Sequence, residues 1–220
     1  TGWTMAKTPR TRRPHLTAPI LYCGDTELTG AAAYLAGLMS SWGLDFDYVP
    51  SHVAMTSGQL EVPRKLLILS DYPSAQFDDR LQRRALELIE GGCGLLMIGG
   101  WESYHGFGGD WNGTPVAGAL PVEIAATDDR MNFPQSAWLL PAGVHAITDG
   151  LPWRSCPPAI GGMNRVTVKP GATEVLHAHS YRVSVAAGDA AVNRVSPELR
   201  FTPGEKFPAL VVGSFGQGRT

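Results

Sequence analysis

The stretch from Gly99 to Gly109 (GGWESYHGFGG) gathers the side chains of this sequence best suited to chemistry. Ser103 and His105 stand two residues apart and could serve as nucleophile and base if the turn brings them together. Glu102 lies between Trp101 and Ser103, with Tyr104 one residue further on. Desolvation by the two rings would raise its pKa and suit it to acid or base work. Five of the eleven residues are glycine, which permits positive φ angles and close backbone approach to a ligand. Successive exposed amide N–H groups in such a turn can form an anion or oxyanion site. The plainer alternatives are a tight turn that needs glycine for geometry, a serine hydroxyl satisfying the loop backbone and a solvated loop glutamate. The serine-hydrolase elbow G-x-S-x-G is not met, because Trp101 stands where its first glycine belongs.

Outside this stretch, Asp25 follows an apolar run, either as a rim carboxylate or as a helix cap. Asp128-Asp129-Arg130 can pair internally, or can turn the arginine and one aspartate toward a polar ligand. His145 lies in a loop from which an imidazole could reach the same rim. The expected catalytic residues are therefore Glu102, Ser103 and His105. The expected ligand-binding residues are Asp25, Gly99, Gly100, Trp101, Asp129, Arg130 and His145. His177-Ala178-His179 would set two imidazoles on one face of a strand, but two histidines without a third ligand are weak support for zinc. No metal and no other cofactor is expected.

The elements that must position these residues alternate strand and helix. The spacing predicts strands at Pro19–Cys23, Asp45–Val49, Lys65–Ser70 and Gly94–Ile98. A helix capped by Thr26 is expected to run from Leu28 to Trp42. A second, capped by Asp78 or Asp79, ends at Gly91-Gly92. Such units imply a parallel sheet with helices on both faces, and in such sheets ligands bind beyond the carboxyl ends of the strands. Cys23-Gly24-Asp25, Pro50-Ser51-His52, Asp71-Tyr72-Pro73 and the Gly99 turn would share that rim. Further on, strands are expected at Leu120–Ile124, Arg165–Lys169, Glu174–His177 and Ala209–Gly213. Residues 181–198 show no clear period and read as an excursion or flap. Gly216-Gln217-Gly218 reads as a hairpin turn whose returning strand would begin where the sequence stops, so the last element is expected to be truncated or supplied in another way.

The 220 residues suit one domain over 18–220, preceded by a flexible basic tail over 1–17 that carries Lys7, Arg10, Arg12 and Arg13. The net charge of −2 gives no pull toward nucleic acid or anionic membrane. No apolar run approaches the ~20 residues that a spanning helix needs. Cys23, Cys93 and Cys156 are widely spaced and form no C-x-x-C pair. That argues against a disulfide framework and fits a reducing cytoplasm.

The run IGGWESYHGFGGDWNGTPVAGALPVEI, with Asp128-Asp129-Arg130, Val144–Ile147, Gly162-Met163-Asn164 and Gly216–Arg219, resembles a glutamine amidotransferase-like family of bacterial cytoplasmic proteins. These proteins belong to the class I glutamine amidotransferase-like superfamily, which also includes trehalose-utilisation-type proteins. The resemblance covers about residues 18–220. It implies an α/β, flavodoxin-like three-layer sandwich with a mostly parallel central sheet, plus irregular β-containing C-terminal excursions. It also implies a pocket at the Gly-rich turn. Working members of the superfamily carry a cysteine on the strand-to-helix turn, G-x-C-x-G, and a His-x-Glu pair near the C-terminus. Here the turn is Gly99-Gly100-Trp101-Glu102-Ser103, and Cys93 precedes its strand, at the wrong end of the sheet.

Three functions follow as expectations. The first is an amidotransferase-like domain without the Cys-His-Glu triad that binds a small polar or carbohydrate-like metabolite. The second is an enzyme acting on a sugar-like substrate through Glu102, His105 and Asp25. The third is an interaction module, a homo-oligomer, with Trp101, Trp111 and Trp153 as anchors.

Overall fold

The computed structural model describes residues 18–186 and 198–220. The tail expected over 1–17, and most of the aperiodic segment expected over 181–198, lie outside the described residues. The first half builds β1 (Ile20–Gly24), α1 (Ala33–Ser41), β2 (Phe46–Val49), α2 (Ser57–Leu60), β3 (Leu66–Ser70), α3 (Asp79–Glu90) and β4 (Gly94–Ile98). Among the described residues the four strands form one all-parallel sheet in the order β2-β1-β3-β4.

Alternation along each strand sends side chains to two different cores. Leu21, Cys23, Leu67, Leu69, Leu95 and Met97 pack on one face against Leu81, Ala85 and Ile89 of α3. Ile20, Tyr22 and Ile68 pack on the other against Ala36 and Met39 of α1. Helices on both faces make the three-layer sandwich expected of a flavodoxin-like chain. The α3 cap is also as expected, with the Leu81 N–H donating to Asp78 Oδ1 at 2.8 Å.

The first helix departs from its expected span, beginning at Ala33 rather than soon after Thr26. Asp25 and Thr26 have φ of +50° and +46°, a left-handed conformation that cannot enter a right-handed helix. Residues 27–32 therefore pass through turns first.

The second half comprises α4 (Pro115–Ala119), β5 (Val122–Ile124), β6 (Arg130–Pro141), β7 (Ala159–Asn164), β8 (Val166–Val168), β9 (Thr173–Ala186), β10 (Glu198–Val212), β11 (Ser214–Phe215) and β12 (Gly218–Arg219). An antiparallel sheet runs β10-β9-β6-β7, and β5 pairs with β8. Strands stand at the four expected places, but β9 and β10 run much longer than their apolar centres, and β6 and β7 were not foreseen. Pro134 within β6 and Gly161-Gly162 within β7 are residues that strands disfavour. The structure accommodates Pro134 in a register shift between Asn132 and Ala137. Gly216, at φ +58°, turns the β11–β12 hairpin, and the Gln217 N–H docks on the Glu90 carbonyl at the end of α3 (2.9 Å). No helix among the described residues is long and apolar enough to cross a membrane.

Gly24 closes β1 at φ +125°, and a Cβ there would run into the Ser70 carbonyl of β3. Gly24→Ala is expected to cost roughly 2–4 kcal/mol, read as a lowered midpoint in urea unfolding with an unchanged m-value.

Candidate functional site

The carboxyl ends of β1, β3 and β4 carry Asp25, Asp71 and the Gly99 turn. Asp25, Thr26 and Asp71 (φ +44°) all hold left-handed backbone. Strain of this kind persists only where the surroundings over-determine it, and here hydrogen bonds do so. The Asp25 N–H donates to the Ser70 carbonyl (2.9 Å) and the Thr26 N–H to Ser51 Oγ (3.2 Å). The buried Tyr22 hydroxyl donates to the Asp25 carboxylate, and the Tyr48 hydroxyl donates to the Gly24 carbonyl at 2.7 Å. Burial, followed by the Asp25 hydrogen bond, pushes the Tyr22 phenol far above its usual range. Burial, followed by the Asp25 charge, pushes Tyr48 up to about 12. Both phenols thus stay protonated donors at neutral pH.

The Gly-rich loop after β4 is held from inside by three side chains, each brought from elsewhere in the chain. Asn164, at the end of β7, accepts from the Gly100 N–H through Oδ1 (2.8 Å). Its Nδ2 donates to the Gly100 carbonyl (3.1 Å) and to Asp129 Oδ1 (2.8 Å). The buried Asp129 carboxylate accepts from the N–H groups of His105 and Gly106, both at 3.0 Å. Asp71 accepts from the Glu102 N–H (2.7 Å) and from the Trp101 N–H, while its own N–H donates to Ser103 Oγ (2.9 Å). Glycine is required at Gly99 and Gly100, since a Cβ would strike Asn164 Oδ1 at the first and the Asp71 carboxylate at the second.

This arrangement decides what the loop can do. The amides of Gly100, Trp101, Glu102, His105 and Gly106, expected to be available to an anion, are occupied by the protein's own side chains. The Ser103 side chain is buried, with its oxygen facing the Asp71 backbone. Among the described residues no hydrogen bond joins it to His105. The His105 ring lies beside the Gly106 carbonyl (Nδ1, 3.3 Å) and 3.9 Å from Asp110 through Nε2.

What faces outward is acidic and aromatic. Burial first, and the Asp71 charge second, raise the Glu102 pKa. Burial likewise raises Asp71 against the lowering effect of the Glu102 amide, with the Asp25 charge adding to the rise. Among the described residues no cation forms an ion pair with any of these three carboxylates. Trp101 (67% exposed) and Phe107 (69% exposed) flank the Arg130 guanidinium, whose carbon lies 4.5 and 5.1 Å from the two ring centres. Arg130 also makes a two-pronged pair with Asp128 at 2.9 and 2.7 Å. That pair holds the exposed Asp128 carboxyl down at about 2.

Gly99, Gly100, Trp101, Glu102, Ser103, His105, Asp129 and Arg130 are thus gathered around one turn, and Asp25 joins them across β1 and β3. His145 does not join them through any hydrogen bond among the described residues. It follows the far end of β6 from Arg130, and its Nδ1 accepts from the Ile147 N–H at 3.2 Å. Trp111, expected as a surface anchor, is buried and donates Nε1–H to the Tyr72 carbonyl (2.9 Å). Sequence reasoning missed Asp71, Asn164 and Phe107 as site residues. The strand-end rule places Asp71 at the rim without giving it a role, whereas nothing local marks Asn164 as a partner of the loop. Among the described residues no cluster of His, Cys, Asp and Glu is arranged to hold a metal.

Comparison with known proteins accords with this architecture. A family model described as "Putative glutamine amidotransferase" matches residues 23–220. The cytoplasmic protein STM3548 from Salmonella typhimurium superposes with a TM-score of 0.68 at 21% identity, over 91% of this chain and 85% of its own. The cytoplasmic protein STM1381 from Salmonella typhimurium LT2 gives 0.67 at 22%, over 91% and 84%. These likenesses are of fold. A search of curated proteins finds no match.

Two outcomes test the cradle. Asn164→Asp sets a second carboxylate against Asp129 in a buried site, so unfolding at pH 7 should show a loss of about 3 kcal/mol. Acidification should recover part of that loss, and equal losses at pH 7 and pH 5 would contradict the charge argument. For Asp71, the raised folded pKa means that the folded state takes up the proton more readily than the unfolded chain. Its stabilising contribution is therefore present below the ordinary carboxylate range and lost as pH rises through the raised value. Asp71→Asn should flatten the fall in melting temperature across that window, and an unaltered pH slope would show that Asp71 does not cause it.

Proposed function

The chain belongs to the family described as "Putative glutamine amidotransferase", and from that membership and the rim chemistry we propose that it is an amidotransferase-like domain without glutaminase activity that binds a neutral, hydroxyl-rich metabolite of carbohydrate type. The observation that carries this reading is the occupation of the elbow amides by Asp71, Asp129 and Asn164. A glutaminase needs a thiolate on this turn and free N–H groups for the oxyanion. The turn holds no cysteine: Cys23 is buried at the end of β1, Cys93 is buried before β4, and Cys156 lies in the β6–β7 connection. Burial also pushes the Cys23 thiol far above its usual range, which withholds the reactive thiolate.

The ligand class rests on the outward groups. Asp25 and Glu102 are acceptors that pair with no cation among the described residues, suited to sugar hydroxyls and unsuited to an anionic ligand. The exposed Trp101 face offers the apolar surface on which a sugar ring packs its C–H groups. A second reading, turnover of the same ligand, is favoured by the raised pKa of Glu102, which would let it hold a proton for a leaving oxygen. A cytoplasmic setting accords with the description of both Salmonella proteins.

Calorimetric titration with a panel of neutral sugars and polyols should find a binder whose affinity falls roughly 10–100-fold in Glu102→Gln, the magnitude of a hydrogen bond to a charged group. Trp101→Ala should weaken the same ligand. Ammonia release from glutamine would refute the reading, and so would a best ligand that is anionic.

A further inference from the structure

The long β9–β10 ribbon carries a second surface, built from residues other than those of the rim. Beyond Tyr181 and its register partner Pro203, β9 and β10 pair with each other, and the register of β6 on β9 spans Trp138 to Pro141 against His179 to Leu176. Described residues on both strands of this outer part, Arg182 and Ser184 on β9 and Leu199–Lys206 on β10, are exposed. Alternation nevertheless sorts them. One face carries Tyr181, Val183 and Val185 with their register partners Phe201 and Leu199. The opposite face carries Arg182, Ser184, Arg200 and Thr202.

At the base of the apolar face the Trp138 ring lies 4.9 Å from Tyr181 and 6.2 Å from Phe201, centre to centre. Large aromatic rings therefore stand at one end of the stripe, and branched aliphatic side chains at the other. Among the described residues no further layer packs on this face, and an amphipathic two-stranded ribbon left so is marginal in water.

We propose that this face is a dimerisation surface whose occupant is the same face of a second copy of the chain. With the two-fold axis in the plane of the contact and across the strands, the two ribbons run antiparallel. The Trp138–Tyr181 end of each copy then covers the Val185–Leu199 end of the other, with Val183 and Phe201 nearest the axis. Rings meet branched aliphatics, a pairing of unlike shapes that fills an interface better than like on like.

Area supports the assignment. Trp138 is 37% exposed, Val185 63%, Leu199 52% and Phe201 51%. At the ~150–250 Å² that a large side chain can bury, these four supply about 400 Å² of apolar surface. Tyr181 and Val183, both half-buried, add a smaller share, so the contact is little more than half of the ~800 Å² per partner of a standard interface, the size of a weak and reversible dimer. Charge also favours a self-partner. The net charge of −2 leaves two copies with little mutual repulsion, and the apolar stripe has no charge pattern to select an acidic or basic partner. Edge-to-edge pairing is hindered because Pro203 and Pro208 remove donors from β10. That leaves the face as the route to association.

Sedimentation equilibrium on the full chain should show a monomer–dimer equilibrium. Phe201→Glu, placed beside the axis, should weaken it at least about 30-fold, while Thr202→Glu on the opposite face should leave it unchanged. Circular dichroism on both variants keeps loss of fold separate from loss of association. If Phe201→Glu fails to fold, Leu199→Lys at the end of the stripe gives the same reading. A wild-type monomer would overturn the proposal, as would a dimer indifferent to Phe201→Glu and Leu199→Lys or disrupted by Thr202→Glu. Sugar binding at the rim is measured separately, so failure of one proposal does not touch the other.

Discussion

The buried pair of the Asn164 carboxamide and the Asp129 carboxylate, bonded to each other at 2.8 Å, joins the two halves of this protein through its hydrogen bonds to the loop after β4. A loop with five glycines after β4 has little side-chain packing to hold it and a dense run of backbone polar groups to satisfy. Asn164 and Asp129 meet that need together. One amide bridges Gly100, one carboxylate receives the amides of His105 and Gly106, and the two are bonded to each other. Both flank the β6–β7 pair, whose register sets Arg130 opposite Asn164. The antiparallel half of the chain thus serves as the scaffold that presents this pair to a loop belonging to the parallel half.

That constraint shapes the chemistry left at the rim. Donors that would face a ligand in an open elbow are turned inward onto carboxylates, and the Ser103 oxygen is enclosed with them. What remains accessible is the complement, a set of acceptors beside two exposed rings and a guanidinium already paired with Asp128. The balance between inward donors and outward acceptors sets this rim apart from an open oxyanion hole. The left-handed backbone at Asp25, Thr26 and Asp71 belongs to the same economy of geometry, because each departure from ordinary φ turns a carboxylate or an amide toward the strand ends.

The ribbon of β9 and β10 answers to a different rule. Its inner part is fixed by Ala178 and Leu176, buried against the body, whereas its outer part alternates with no described element packed upon its apolar face. A sheet face so patterned is explained by contact with another layer, and an isologous partner is the simplest source of one. The ligand recognition and the assembly proposed here would thus fall on separate parts of the chain.

The sequence by itself determined the parallel core, because burial on both faces writes continuous apolar runs such as ILYC and LLIL, and these can be read without knowing their neighbours. It also determined that the turn after β4 has no cysteine and is rich in glycine. Tertiary structure alone decided what the turn does. Asn164 lies 64 residues from Gly100, and Asp129 lies 23 from Gly106, so no local pattern marks the pair. For the same reason Ser103, Asp129 and His145 look alike in sequence as polar loop residues, yet the fold encloses the first two and sends the third to the far end of β6. β6 and β7 were hidden because Pro134 and Gly161-Gly162 obscure a strand whose existence depends on long-range pairing rather than on propensity. Periodicity reports which face of an element is buried. Which polar group meets which is set by contacts between distant segments, and those form only when the chain has folded.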